Sequence, residues 1–240
     1  MRFVNIFISL LMLMAVGIGN AAEKTVTKAV SVASGFTSID VANGIQVIYT
    51  PSASVSVKVT ATAEDMEGVK FVRSGSTLKI YRKMEWFGHG GRNKVIVTMS
   101  APALKEYEVS SGASIEITSG VNLQSESIEV EASSGGSVSA NGITCRSLEV
   151  ETSSGASVNL VLVKAESVEV EASSGSSARV TGSCTSAGLT ASSGASISAG
   201  ELTASSGKVS ASSGAGVSSA IANLVRSSKL SGGSIRNSAK

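Results

Sequence analysis

Apolar and polar residues alternate along most of this chain in short runs that are interrupted by the tripeptide Ser-Ser-Gly. The glycine of that tripeptide recurs at Gly112, Gly135, Gly155, Gly175, Gly194 and Gly214. The intervals between these glycines are 23, 20, 20, 19 and 20 residues. A period near twenty predicts a solenoid, because one repeat is too small to bury its own core and must stack on its neighbours.

Alignment of the repeats on that glycine separates inward-facing from outward-facing positions. Three and five residues before and after it, the residues are mainly Val, Ile, Leu or Ala, and the positions between them are mostly polar. Period-two alternation predicts strands, so each repeat should hold two short strands, a Ser-Ser-Gly corner and a looser return loop. Glycine allows the positive φ or the close approach of coils that such a corner needs. We predict an all-β fold, a parallel β-helix of about 20 residues per coil, with right-handed coils about 4.8 Å apart.

The chain before the repeats is also expected to be β-structure, although it is less regular. Strands are predicted at 36–40, 45–49, 55–59, 78–81 and 94–98, with turns at Asn43-Gly44 and Gly75-Ser76 and one helical turn at 64–67. We predict three regions: a signal peptide over 1–22, an N-terminal β region over 23–104 that caps the solenoid, and the repeat solenoid over 105–240.

The first 22 residues have the order of a secretory signal peptide. Arg2 is followed by the mostly apolar run Phe3–Ile18 and then by the small residues of Gly19–Ala22. We therefore expect export, to the periplasm, the outer-membrane surface or the medium; a membrane anchor helix is the alternative. The rest of the chain has no apolar run of 18 or more residues, so no transmembrane segment is expected in the mature protein.

Charge is segregated along the chain, although the formal net charge is only +2. Residues 105–175 carry three basic and eleven acidic side chains, whereas residues 176–240 carry six basic and one acidic. A nucleic-acid-binding protein would show one continuous basic face, so this pattern argues against that function. It allows self-association, in which the acidic middle of one copy meets the basic end of another.

One group of motifs resembles a known family. The motifs are Phe36-x-x-Ile39-x-Val41-x-Asn43-Gly44-Ile45-x-Val47, Leu78-Lys79-Ile80, Pro102-x-Leu104 and Ser110-Ser111-Gly112-Ala113-Ser114. Their order resembles that of the auto-transporter adhesins with a head GIN domain, over roughly residues 36–225. The resemblance implies a β-helical fold and an envelope or secreted location of the kind common in Bacteroidetes. It implies no assigned biochemical activity and brings no catalytic residues with it.

Eight glutamates form the most regular candidate site. Glu106, Glu129, Glu149 and Glu169 lie six residues before a corner glycine, and Glu108, Glu131, Glu151 and Glu171 lie four residues before it. Stacking would turn them into two parallel columns with neighbours about 5 Å apart, where like charges repel. The columns could be a solvated face, could bind a basic partner, or could bind Ca²⁺ through clustered carboxylate oxygens. No calcium-loop motif supports the metal, so no metal site or other cofactor is assigned.

A second candidate is the glycine-rich segment Trp86-Phe87-Gly88-His89-Gly90-Gly91-Arg92. Trp86, Phe87, His89 and Arg92 suit stacking on a sugar or a contact with a protein. The alternative is an exposed hairpin loop with no ligand.

Catalysis has little support in the sequence. His89 is the only histidine, and no Gly-x-Ser-x-Gly motif lies between a strand and a helix. A polysaccharide lyase or hydrolase built on a β-helix remains the alternative, since such enzymes use paired carboxylates with a basic residue. Here the glutamates repeat uniformly and lack such a partner. The sequence therefore favours a non-enzymatic, adhesin-like surface for a cell-surface glycan or protein.

The two cysteines should lie two coils apart in one column. Cys145 and Cys184 follow their corner glycines by ten and nine residues, with Ala165 between them. Two coils span about 9.6 Å, which exceeds the Cα separation of about 7 Å that a disulfide allows. We therefore predict two buried free thiols.

Overall fold

Parallel strands about one repeat apart build the molecule from residue 106 to residue 237. The computed structural model describes residues 24–83, 94–118 and 120–239. It is a β-solenoid of about six turns with roughly 20 residues per turn, which confirms the predicted fold class. The elements are β1 (Thr25–Ala29), β2 (Ser38–Val41), β3 (Ile45–Pro51), β4 (Ser56–Thr62), α1 (Ala63–Gly68), β5 (Val69–Ser74), β6 (Thr77–Arg82), β7 (Val95–Ala101), β8 (Glu106–Val109), β9 (Ser114–Ile117), β10 (Val121–Ala132), β11 (Ser137–Thr152), β12 (Ser157–Ala172), β13 (Ser177–Ala191), β14 (Ser196–Ala211), β15 (Gly216–Lys229) and β16 (Ser234–Asn237).

The repeat register places like residues on like residues. Val130 pairs with Val150, and Val150 pairs with Val170 in the next coil. The inward columns predicted from the alternation are buried from Tyr107 to Val217. Small and β-branched side chains therefore fill a narrow core, while the alternate positions remain outside.

Each Ser-Ser-Gly corner is a tight turn in which two residues have positive φ. At the third repeat corner Ser154 has φ 51° and Gly155 has φ 71°, and the Ala156 amide donates to the Ser153 carbonyl at 3.0 Å. Positive φ at both central residues is the signature of a type I′ turn. The Gly155 amide also donates to the Ser174 carbonyl of the next coil at 3.2 Å. The sequence predicted the positive φ of the glycine but not that of the serine before it. A left-handed conformation costs a non-glycine residue about 1–2 kcal/mol, and the hydrogen bonds between stacked corners offset that cost.

The return segment differs from the predicted loose loop. β11 and β12 are each 16 residues long, and they pair through the return, where Ile143 lies beside Val163. Glycines with positive φ, such as Gly142 and Gly182, allow the chain to bend without leaving the ladder. The return segment is a paired strand and not a loose loop because the extended conformation buries its apolar residues and gives its backbone groups hydrogen-bond partners.

The N-terminal strands join the same sheet. β2 pairs in parallel with β8 and β3 with β9, while β6 and β7 pair with the other edges of β2 and β3. β5 lies antiparallel on β6, and β4 and β1 lie antiparallel beyond β7. The predicted helical turn is α1, which the Thr62 side chain caps. The division of the chain at residue 104 stays a prediction.

Two corners extend the stack beyond the six glycines counted from the sequence. Asn43 and Gly44 have φ 63° and 72°, and the Gly44 amide donates to the Ser111 carbonyl at 3.1 Å. At the other end Ser231 and Gly232 form a further corner, and the Gly214 amide donates to the Ser231 carbonyl at 3.1 Å. Gly207, although preceded by two serines, lies inside β14 and forms no corner.

Cys145 and Cys184 are both buried free thiols. Ala165 of the intervening coil pairs directly with Cys184. Burial raises the pKa of each thiol to about 11, so both stay protonated at neutral pH and act as small apolar residues.

Candidate functional site

The solenoid brings the eight glutamates into the two columns that the spacing predicts. Glu106, Glu129, Glu149 and Glu169 pair in order from coil to coil, and so do Glu108, Glu131, Glu151 and Glu171. The residues between the two columns point into the core, because their strands alternate. The carboxylates therefore project from one face, with about 4.8 Å between neighbouring coils.

A ninth carboxylate extends this face toward the N terminus. Asp40 of β2 pairs with Glu108 of β8. Its carboxylate oxygen Oδ2 also forms an ion pair with Nζ of Lys79 at 2.6 Å. Lys79 occupies the next place in the same column, so it ends the run of negative charge. We call Asp40 and the eight glutamates the acidic face.

An open groove of about 410 Å³ follows the second column of the acidic face. Its lining includes the carboxylate residues Asp40, Glu108, Glu131, Glu151 and Glu171 and the corner serines Ser110, Ser133, Ser153, Ser173 and Ser192. A row of negative charge therefore runs beside a row of hydroxyl-bearing residues. Such a groove can accept amines, guanidinium groups or hydrogen-bond donors along its length.

Crowding on the acidic face disfavours ionisation. Burial, a hydrogen bond with Glu106 and the charges of Asp40, Glu106 and Glu131 raise the pKa of Glu108 to about 7. Burial and neighbouring carboxylates also raise the pKa values of Glu129, Glu151 and Glu169. The face therefore gains charge gradually as the pH rises, and a nearby cation would stabilise its charged form.

We expect Glu108→Gln to raise the free energy of unfolding at pH 8 by about 0.2–1 kcal/mol. The folded-state pKa of about 7 exceeds the ordinary value of 4.5, so the carboxyl stabilises the fold fully below pH 4.5. That contribution is lost as the pH rises toward and through about 7. Glutamine stays neutral, so the gain in unfolding free energy of the variant over the wild type should develop as the pH rises from 4.5 through about 7. Urea unfolding of both proteins at pH 4.5 and pH 8 measures the difference.

The matched control is Glu116→Gln, an exposed glutamate on β9 that lies outside the acidic face. It should change stability by less than about 0.5 kcal/mol at either pH. Equal gains in the two variants would mean that repulsion along the column does not affect stability.

Several predicted features lie outside what the structure places or tests. Trp86, Phe87, His89 and Arg92 fall outside the described residues, so their role stays a prediction, as does that of the signal peptide. Within residues 24–83, 94–118 and 120–239, no three His, Cys, Asp or Glu side chains are arranged to hold a metal ion. Calcium binding thus stays an untested hypothesis. In that same part of the chain no helix has the length and apolar character needed to cross a membrane.

Counting from the corner glycines would have found the residues that sequence reasoning missed. Asp40 lies four residues before Gly44, in the place that glutamates take in later repeats, but Asn43-Gly44 was interpreted only as a turn. In the same way Lys208 and Arg226 lie six residues before Gly214 and Gly232. They continue the first glutamate column with opposite charge.

A match to a family of known proteins covers most of the chain. Residues 35–161 and 129–240 match the family described as putative auto-transporter adhesin, head GIN domain. The chain belongs to this family. The match covers both the N-terminal coils and the Ser-Ser-Gly repeats, which confirms the resemblance seen in the motifs. No protein of curated function matches the sequence.

Solved structures share the fold at low sequence identity. A putative lipid binding protein from Parabacteroides distasonis ATCC 8503 has a TM-score of 0.76 at 16% identity, over 89% of this chain and 96% of that chain. A putative adhesin from the same organism has a TM-score of 0.73 at 20% identity, over 90% and 98%. A putative adhesin from Bacteroides fragilis NCTC 9343 has a TM-score of 0.67 at 17% identity, over 90% and 98%. At these identities the likeness shows the fold alone.

Proposed function

We propose that this protein is an exported, envelope-associated β-solenoid that acts as an adhesin-like binding surface and not as an enzyme. Membership of an adhesin family supports this role, as do adhesins among the solved structures of the same fold. The order of charge, apolar run and small residues over 1–22 supports export. The partner is a cell-surface protein or glycan, and the acidic face favours a cationic segment of a protein.

The observation that carries this proposal is the continuity of the acidic face over five coils. Carboxylates recur in register from Asp40 to Glu171, on strands whose pairing holds them at a constant spacing. A rigid array loses little entropy when a partner binds, so several weak ion pairs can act together. Lysine or arginine side chains of an extended segment could occupy successive positions along the groove.

A solvated face alone accounts less well for this arrangement. The same outward column continues after Glu171 with Thr190, Ser210 and Ser228, so neutral residues serve the fold equally well there. Like charges directly opposite each other destabilise a sheet. The first coils accept that cost at three successive pairs of glutamates in each column, and a cationic partner would offset it.

Binding of a lysine octapeptide tests the proposal. We expect Glu131→Gln, Glu151→Gln and Glu171→Gln together to weaken binding about tenfold, since three exposed ion pairs contribute about 0.5 kcal/mol each. Binding to the wild type should also weaken between 50 and 300 mM NaCl, because salt screens exposed charges. Isothermal titration calorimetry at pH 8 measures both effects.

The control variant changes the net charge equally at exposed glutamates outside the acidic face, Glu64→Gln, Glu116→Gln and Glu166→Gln. It should bind the octapeptide within about twofold of the wild type. Equal weakening in both triple variants would show that net charge, and not the acidic face, attracts the peptide. Release of unsaturated or reducing ends from a uronate polymer would instead support the lyase or hydrolase alternative. Self-association through unlike-charged segments stays a prediction.

A further inference from the structure

The two outward columns change their chemistry after the acidic face ends. In the first column Glu169 is followed by Gly188, Lys208 and Arg226, and these residues pair in order from coil to coil. In the second column Glu171 is followed by Thr190, Ser210 and Ser228. Together Glu169, Gly188, Thr190, Lys208, Ser210, Arg226 and Ser228 line a depression of about 300 Å³, which we call the basic notch.

Gly188 creates the floor of the basic notch. It stands where the preceding coils carry glutamate, and the carboxylate of Glu169 lies over it. A β-carbon at residue 188 would collide with that carboxylate, so glycine leaves the room that the carboxylate occupies. The Glu169 side chain therefore extends along the column toward Lys208, whose positive charge acts to lower the pKa of Glu169. The Glu169 carboxylate thus gives the basic notch a hydrogen-bond acceptor.

A β-bulge brings the two cations together. Gly207 pairs with Leu224, but Lys208 pairs with Arg226, so Val225 is an extra residue in β15. Without the bulge Lys208 would face Val225. Bulges commonly redirect a side chain at a binding site. Here the result is two positive charges in neighbouring coils, at a separation where like charges repel.

Neither cation forms an ion pair within the described part of the chain. Its four ion pairs are those of Lys79, Arg82, Lys105 and Arg179. A small anion placed between Lys208 and Arg226 would relieve their repulsion and accept charge-assisted hydrogen bonds from both. The hydroxyls of Thr190, Ser210 and Ser228 line the same depression and can donate or accept further hydrogen bonds.

We infer that the basic notch binds a sugar acid of an anionic glycan, with the carboxylate of the sugar held by Lys208 and Arg226. The three hydroxyls and the Glu169 carboxylate then bond the hydroxyls of the sugar ring. A polyhydroxylated ligand with an isolated charge fits this lining. A dense polyanion such as a nucleic acid or an acidic peptide fits less well, because the acidic face adjoins the notch and repels it. The volume lies at the lower end of ligand pockets, which suits a short glycan segment.

Titration with a galactose trimer in which one terminal sugar is galacturonic acid tests this site, because this trimer carries a single carboxylate. At pH 7 and 50 mM NaCl we expect calorimetry to detect binding that the double variant Lys208→Gln, Arg226→Gln weakens about tenfold or more. Gly188→Ala should also weaken binding, since its methyl group would displace the Glu169 carboxylate from the position in which it bonds the sugar hydroxyls. Circular dichroism melts of each variant separate loss of the site from loss of the fold.

The matched control is Arg146→Gln, Lys164→Gln, which removes two exposed cations elsewhere and should bind the trimer within about twofold of the wild type. A neutral galactose trimer, acetate and triglutamate should each bind the wild type at least about tenfold more weakly than the acidic trimer. Equal binding of the neutral trimer, of acetate or of triglutamate would overturn the assignment to a sugar acid. So would an unchanged affinity in the Lys208, Arg226 variant, or no binding of the acidic trimer at all. The inference shares the surface-binding setting and Glu169 with the proposed function, but its variants and probe differ from those of the acidic face, so each can fail alone.

Discussion

Replacing Gly207 by alanine should lower the free energy of unfolding by about 3 kcal/mol, although it adds a single methyl group. Gly207 pairs with Ala187 on one side and with Leu224 on the other. A β-carbon there would overlap the carbonyl oxygen of Ala187 and would stand 3.0 Å from Cδ1 of Ile221. The carbonyl belongs to the backbone of a paired strand and cannot swing aside, so neighbouring coils must separate. Urea unfolding at pH 7 measures the loss.

Gly216→Ala is the control for Gly207→Ala. Gly216 begins β15 in the same part of the solenoid, and a β-carbon there would meet nothing within 4 Å. Its free energy of unfolding should stay within about 0.5 kcal/mol of the wild type. A similar small effect at Gly207 would show that the coils are not as closely packed as the structure has them.

The second large effect is expected from Leu148→Ala, which should cost about 2–5 kcal/mol. Leu148 is fully buried in β11 and lies between Ile128 and Val168 of the adjoining coils. Truncation leaves a cavity between layers that are held by backbone hydrogen bonds and cannot collapse freely into it. Because each coil contacts mainly its neighbours, the loss should also appear as faster local hydrogen exchange in β10 to β12.

Leu230→Ala provides the comparison for Leu148→Ala, since it deletes the same atoms from a side chain that is 62% exposed. Its unfolding free energy should change by less than about 0.5 kcal/mol. If both variants lost similar stability, burial in the coil interior would not be the cause.

Much of the candidate site was predictable because of the repeat. Once the corner glycines are aligned, Glu129, Glu149 and Glu169 must share one column and one face, whatever the details of the coil. The same count reaches Lys208, and it reaches Asp40 and Arg226 once Gly44 and Gly232 are recognised as corners. Asp40 and Arg226 were missed because Asn43-Gly44 and Ser231-Gly232 depart from the Ser-Ser-Gly pattern, whereas Lys208 was within reach of the count.

Other features depended on contacts between coils that no local pattern reveals. Ser205-Ser206-Gly207 matches the corner tripeptide, yet it lies within a strand because its neighbours Ala187 and Leu224 extend the ladder through it. Thr152 is polar in an otherwise apolar column, and it is accommodated because Ser176 of the next coil bonds its hydroxyl at 2.9 Å. Both outcomes depend on residues about twenty positions away.

The sequence by itself determined the period, the direction in which the side chains on either side of each corner point and the segregation of charge, because strand alternation and a nearly constant repeat length leave one stacked arrangement for them. It could not determine the conformation of the corner serines, the pairing of the return segments or the bulge at Val225. Those depend on which backbone groups of one coil meet those of the next. The tertiary structure alone therefore decided that Glu169 lies over Gly188 and that Val225 is an extra residue beside the pair of Lys208 and Arg226, where the acidic face gives way to a basic notch.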